Sequence, residues 1–142
     1  MTDHIALVRR NYDLINAIGR TDEFVDPEQF APDLWERVSP DVELHERPDL
    51  PDAKVYRGKD ETKDFWRKTQ ELFAEIHWEP REFTDLGDVV VVDVKVVAVG
   101  RGSDVPIEAE ETDVFWFRDG ALVRLAGFPT RDEALDAVAT YS

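Results

Sequence analysis

The chain has no cysteine among its 142 residues. Disulfides, thiolate zinc sites and a cysteine nucleophile are therefore excluded, and the absence fits a reducing compartment. Basic residues are scarce, with 17 Lys and Arg against 32 Asp and Glu, a formal net charge of -15. Phosphate backbones and anionic bilayers call for a basic surface, so neither nucleic acid nor membrane is an expected partner. Such a charge serves solubility. The valine-rich stretch 89–99 is too short, and too interrupted by Asp93 and Lys95, to span a bilayer as a helix. Met1 to Ile5 has no basic segment leading into an apolar run, so no signal peptide is read and a cytoplasmic location is expected. There is no glycine-rich phosphate loop and no Gly-x-Ser-x-Gly elbow. His45-Glu46 is followed by Asp49 where a zinc-protease helix needs its second histidine. Acidic groups such as Asp85 and Asp88 lack calcium-loop spacing. No metal and no cofactor is expected. Repeats, linkers and low-complexity segments are missing too, so residues 1–142 read as one domain with room for a real core.

What is present is dominated by strands. Val89 to Val97 is dense in β-branched residues. Arg101-Gly102-Ser103-Asp104 turns it back into Ile107 to Phe117, and Arg118-Asp119-Gly120 turns that into Ala121 to Phe128. Three strands and two tight turns make an antiparallel meander. Ile76 to Leu86 is a further strand, and Pro80 within it favours an edge or a bulge. Asp41 to Glu46 alternates as a strand. Ile5, Val8, Tyr12, Ile15 and Gly19 share one helical face after a cap at Thr2 or Asp3, with Leu14 and Ile18 widening it. Asp26-Pro27 opens a short helix, and a second follows Pro32. A helix over about residues 60–74 turns Phe65, Thr69, Leu72 and Ile76 inward, with Trp66 and Phe73 beside them. Thr130-Arg131-Asp132-Glu133 has capping-box spacing and starts a closing helix with Ala134, Leu135, Val138 and Tyr141 on one side. This order is α+β, with helices on one side of a sheet.

Three segments carry a family resemblance: Ser39 to Glu46, Pro51 to Gly58, and Val114 to Leu125. Arg131 to Leu135 adds to it. The chain resembles the SnoaL-like branch of the nuclear transport factor two-like superfamily, which includes ketosteroid isomerases and polyketide cyclases. It departs at Asp22 to Ala31, where it is longer than usual. The resemblance implies a cone, a curved, mostly antiparallel sheet wrapped around the N-terminal helices and the mid-chain helix, with a C-terminal helix. It also implies a hydrophobic pocket at the wide end and a homodimer. It implies no single activity, because this fold hosts isomerases, cyclases, dehydratases and non-catalytic binding modules.

Ketosteroid isomerase chemistry uses a carboxylate base and two donors, a tyrosine and a protonated carboxyl, on the enolate oxygen. Laid on this chain, that pattern puts the tyrosine at Tyr12, the base at Glu46 with His45 beside it, and the acid at Asp113 with Phe117 behind. Arg47 stands where that family places proline after its acid. Period two puts Asp113, Phe115 and Phe117 on one face of their strand, opposite Val114 and Trp116. The aromatic pair favours an inward Asp113, and an inward carboxyl has a raised pKa. Tyr56, Trp66, Phe115, Phe117 and Phe128 are candidate ligand contacts, whereas Glu108, Glu110 and Glu111 read as a solvated face. Two functions remain open: acid–base isomerisation or cyclisation of a small hydrophobic carbonyl compound, and a non-catalytic ligand-binding or dimerisation module. An outer sheet face bearing Val89, Val91, Val97 and Val99 is a candidate dimer contact.

Overall fold

The computed structural model describes residues 3–18 and 25–141. The alternative cap at Thr2, the helix stop at Gly19, the side chain of Ile18 and the first part of the extra stretch (22–24) lie outside the described residues. Helix α1 (His4–Ile18) comes first, followed by two short helices, α2 (Pro27–Phe30) and α3 (Pro32–Glu36). Strands β1 (Val38–His45) and β2 (Val55–Arg57) precede α4 (Gly58–Leu72). The long strands β3 (Phe73–Asp85), β4 (Val89–Gly100), β5 (Pro106–Arg118) and β6 (Ala121–Phe128) follow, and α5 (Arg131–Thr140) closes the chain.

Local chemistry sets these boundaries. Asp3 Oδ1 accepts from the Ala6 amide at the start of α1. Asp26 caps α2 by accepting from the Glu28 amide, with Pro27 at the first helical position. Thr130 caps α5 by accepting from the Glu133 amide. Asp119 and Gly120 have φ of 53° and 80°. Two successive positive φ values make the primed turn that matches strand twist, and glycine bears the second without strain.

The six strands form one sheet in the order β2-β1-β6-β5-β4-β3. Among the described residues only β1 and β6 pair in parallel, and the other ladders are antiparallel. Strand β3 lies at an edge, and its register shifts between Pro80 and Glu82. A proline donates no ladder hydrogen bond, which is why it is tolerated there.

The curved sheet packs differently on its two sides. Inside the curve, Val8, Tyr12 and Ile15 of α1 and Trp66 of α4 join Leu44, Trp78, Val92 and Phe115 from the strands. Each large apolar side chain buried in this way contributes about 1.5–3 kcal/mol. Asn16 fastens α1 to β3 through both halves of its amide, donating to the Trp78 carbonyl (2.9 Å) and accepting from the Trp78 amide (2.8 Å). Outside the curve, α5 lays Ala134 over Val91, Val114, Trp116 and Ala126. The C-terminal half of β5, residues 112–117, is therefore buried on both faces.

Two expectations change. Leu72 is 54% exposed, because the inward stripe of α4 runs through Thr62, Trp66, Thr69 and Gln70, and Leu72 falls off it; the helix ends there and Ile76 belongs to β3. The row of outer valines is also not free as a whole. Val91 is fully buried beneath α5 and Val89 packs on the same cluster, leaving Val97 and Val99 half-buried on the uncovered part. Among the described residues no helix is long and apolar enough to cross a membrane.

Candidate active site

Along β5, residues 107, 109, 111, 113 and 115 point into the curve by period two. They form one wall of a cavity of about 340 Å³, which also takes in Trp66 of α4, Ile76 and Trp78 of β3, and Leu125 and Gly127 of β6. Its surface is mainly apolar. Its polar groups are His45, Glu46 and Arg47 at and just after the end of β1, and Glu111 and Asp113 of β5. Leu50 and Ile107, both exposed, stand at the rim.

Asp113 is 6% exposed and faces this cavity. The parity is the one favoured by its aromatic neighbours, with Phe115 and Phe117 in the same inner cluster. Tyr12 donates its hydroxyl to Asp113 Oδ2 at 2.7 Å, with both groups buried. Helix α1 supplies this contact because Val8, Tyr12 and Ile15 share the stripe it buries. The Tyr12 ring packs edge-on against Phe115, with centroids 5.6 Å apart. Burial pushes the Asp113 carboxyl well above the usual carboxylate range, and the neighbouring charge and hydrogen bond of Glu111 push it the same way. The Tyr12 bond and the more distant Arg47 oppose this with smaller effect. Tyr12 is also raised, by burial and by the two acids. A proton is therefore favoured on both groups.

The remaining expected residues fall in different places. Glu46 lines the cavity. Its Oε1 lies 3.5 Å from Lys68 Nζ, an ion pair without hydrogen-bond geometry. His45 reaches the rim, but its Nε2 is 2.8 Å from Glu43 Oε1. It is one step out of phase with Leu44, which occupies the inner core. Burial lowers the His45 pKa, and the Glu43 hydrogen bond works against that shift. Trp66 and Phe115 line the cavity; Tyr56, Phe117 and Phe128 are not among its lining residues. Tyr56 sits behind Phe65, with ring centroids 5.4 Å apart, and receives Lys68 at 3.4 Å. Phe117 stacks on His4 at 4.2 Å, away from the cavity. Phe128 packs with the outer cluster under α5, because its register partner Thr112 faces outward.

Sequence reasoning missed Glu111 and Arg47. Glu111 is not on a solvated face: it lines the cavity with its side chain 13% exposed. The available signal was parity, since Glu111 is two residues from Asp113. Arg47 reaches it through Nη1, 3.7 Å from Glu111 Oε1, while Asp49 holds the same guanidinium at 2.7 and 3.0 Å. Among the described residues no three His, Asp or Glu side chains are placed to hold a metal ion.

A six-stranded curved, unclosed sheet around helices, with its one parallel pair between β1 and β6, is the nuclear transport factor two-like cone. The chain belongs to the SnoaL-like domain family, whose model matches residues 8–125. No curated protein matches it significantly. Among solved structures it is similar to a nuclear transport factor two-like protein of unknown function from Burkholderia pseudomallei K96243, with 20% identity, 96% of this chain and 97% of the other covered, and a TM-score of 0.71. It is also similar to a protein named as a SnoaL-like polyketide cyclase from Jannaschia sp. CCS1, with 17% identity, coverage of 97% and 92%, and a TM-score of 0.68. A third is TerC, co-crystallised with polyporic acid, with 16% identity, coverage of 96% and 98%, and a TM-score of 0.69. Identities this low establish the fold alone.

Proposed function

We propose that the cavity takes a small hydrophobic carbonyl compound and moves a proton on it, as an isomerase or cyclase does, using side chains alone. One observation carries this reading: a buried carboxyl, held by a tyrosine hydroxyl, opens onto an apolar cavity. An acid kept neutral in such a place donates a hydrogen bond to a carbonyl oxygen and strengthens that bond as charge develops there. Proton abstraction also needs a carboxylate on the cavity wall. Glu46 is the residue expected from the sequence. A relative of the same fold is named as a polyketide cyclase, and another was crystallised with polyporic acid. Both fit an apolar ligand.

The test is a thermal-shift screen of steroid-like and polyketide-like compounds against the wild-type protein and Asp113→Ala. Stabilisation that depends on Asp113 supports the reading. No stabilisation by any apolar ligand, with no change in the variant, overturns it. A second copy of the chain would find its place on the uncovered outer face near Val97 and Val99, which sedimentation of Val97→Lys against wild type would read.

A further inference from the structure

We infer that the base of this site is Glu111, paired through one proton with Asp113 and positioned by Arg47, rather than Glu46. The inference rests on the proton-transfer reading above and names the residue that performs it.

Glu111 and Asp113 stand two apart on β5 and both line the cavity, so their side chains project side by side, about 6.5–7 Å apart at the backbone. Glu111 is the acid whose charge and hydrogen bonding push the Asp113 carboxyl upward, after burial. Two carboxylates repel, so this contact requires one proton between them. Tyr12 already donates to Asp113 Oδ2, which leaves the other Asp113 oxygen to carry that proton towards Glu111. The hydrogen bonds then run in one direction, from Tyr12 to Asp113 to Glu111.

Arg47 completes the arrangement from the far side, 3.7 Å from Glu111 Oε1. Its positive charge faces Glu111, while burial favours a proton on Asp113. The backbone of β6 makes room for this pair. Gly127 is the register partner of Asp113, and a Cβ on it would sit 3.3 Å from Arg47 Cγ and from Glu111 Cδ and Oε2. Glu46, by contrast, is directed to Lys68 on α4. The charged and titratable groups around Glu111 are Asp113 on its own strand, Tyr12 from α1, and Arg47 and Glu46 from the segment after β1. Lys68 of α4 lies beyond Glu46. The inward residues of β4 beside it, Val92, Val94 and Val96, carry no charge.

The pair has a simple working cycle. A carbonyl oxygen entering the cavity takes the Asp113 O–H hydrogen bond away from Glu111. Glu111, relieved of its donor, removes a proton from the carbon next to the carbonyl. The C–H electron pair becomes the C=C bond of the enolate, and the negative charge moves to the oxygen facing Asp113. Glu111 then returns the same proton to carbon, at the original position or a conjugated one. Nothing is oxidised or reduced, and no co-reactant is consumed.

The test uses 2-tetralone, an apolar ketone with acidic C–H bonds, and follows its exchange with deuterated water by proton NMR. Wild-type protein is expected to accelerate exchange. Glu111→Gln is expected to lose about 100-fold while binding of the ketone, read by fluorescence quenching, stays within about threefold. Glu46→Gln, which alters the charge of the wall, should lose less than about tenfold, and Glu111→Asp should restore part of the rate. Glu108→Gln, on the outer face beside Lys95, should match wild type. A separate readout is the titration of the Asp113 carboxyl by carbon-13 NMR, whose midpoint should fall in Glu111→Gln because a neighbouring negative charge is removed. Exchange in Glu111→Gln equal to wild type, a larger loss in Glu46→Gln, or an unmoved Asp113 midpoint each overturns the assignment while leaving the function reading intact. A wild-type protein that neither binds the ketone nor exchanges it overturns both.

Discussion

Two aspartates stand almost back to back on neighbouring strands. Asp93 on β4 faces outward; Asp113 on β5 faces the cavity. Each accepts from a hydroxyl, Asp93 from Thr112 at 3.2 Å and Asp113 from Tyr12 at 2.7 Å. The difference is the second partner. Asp93 has Arg131 at 3.0 Å, and that guanidinium also donates to Thr84 of β3, so the carboxylate bolts the start of α5 to the sheet. Among the described residues Asp113 has no cation in direct contact and has Glu111 beside it instead. A carboxylate matched by a cation is a fastener. A buried carboxyl matched by a second acid must keep a proton, and it keeps it where a ligand can reach. The two faces of one sheet thus show what separates an acid that fastens from one that is kept protonated: the sign of its neighbour and the open space in front of it.

This contrast can be broken by mutation. The largest effect is expected for Asp113→Asn, which leaves the shape but removes the acid. Carbonyl-compound exchange should fall about 10²–10³-fold, against no change for Asp93→Asn. Equal losses in the two variants would dissolve the distinction. Tyr12→Phe comes next, because it strips a buried acceptor of its donor. A loss of about 1–2 kcal/mol should appear in the urea midpoint. Arg131→Ala, which unfastens Asp93 at a partly exposed site, should cost about 1 kcal/mol or less and leave exchange alone.

The smallest expected effect is a slope. Asp113 has its folded pKa raised, so the native state holds a proton that the unfolded chain releases above the ordinary aspartate value of 3.8. Its contribution to stability is complete below that value and is lost as pH rises through the raised one. Glu43 works in the opposite sense. His45 and Arg57 lower its pKa, so its contribution is lost as pH falls through the depressed value. Urea titrations of wild type and Asp113→Asn across this range should differ by a term that grows with pH and favours the variant.

Much of the fold was legible because it rests on local rules. The caps at Asp26 and Thr130, the turn at Asp119-Gly120 and the proline in an edge strand are each readable from a few adjacent residues. The direction of Asp113 was legible for the same reason, since aromatic residues at 115 and 117 mark the inner face. Glu111 was hidden by its neighbours: it ends a run with Glu108 and Glu110 that reads as solvated. Parity with Asp113 gives its inward direction, but its contact with Arg47, 64 positions earlier, and the room left by Gly127 are further features. Such long-range pairings leave no mark in local periodicity. His45, expected beside Glu46, does line the cavity, but its contact with Glu43 depends on side-chain geometry that alternation does not supply. Phe128 was misplaced because its face follows from its pairing with Thr112, which only the sheet register supplies.

The most direct measurement is the infrared spectrum of protein labelled with carbon-13 at aspartate carboxyls, recorded near neutral pH. A protonated-carboxyl C=O band is expected in wild type, absent from Asp113→Asn and retained in Asp93→Asn. A spectrum with no such band, or a band that survives Asp113→Asn, would contradict the account of Asp113 as the neutral acid of the site.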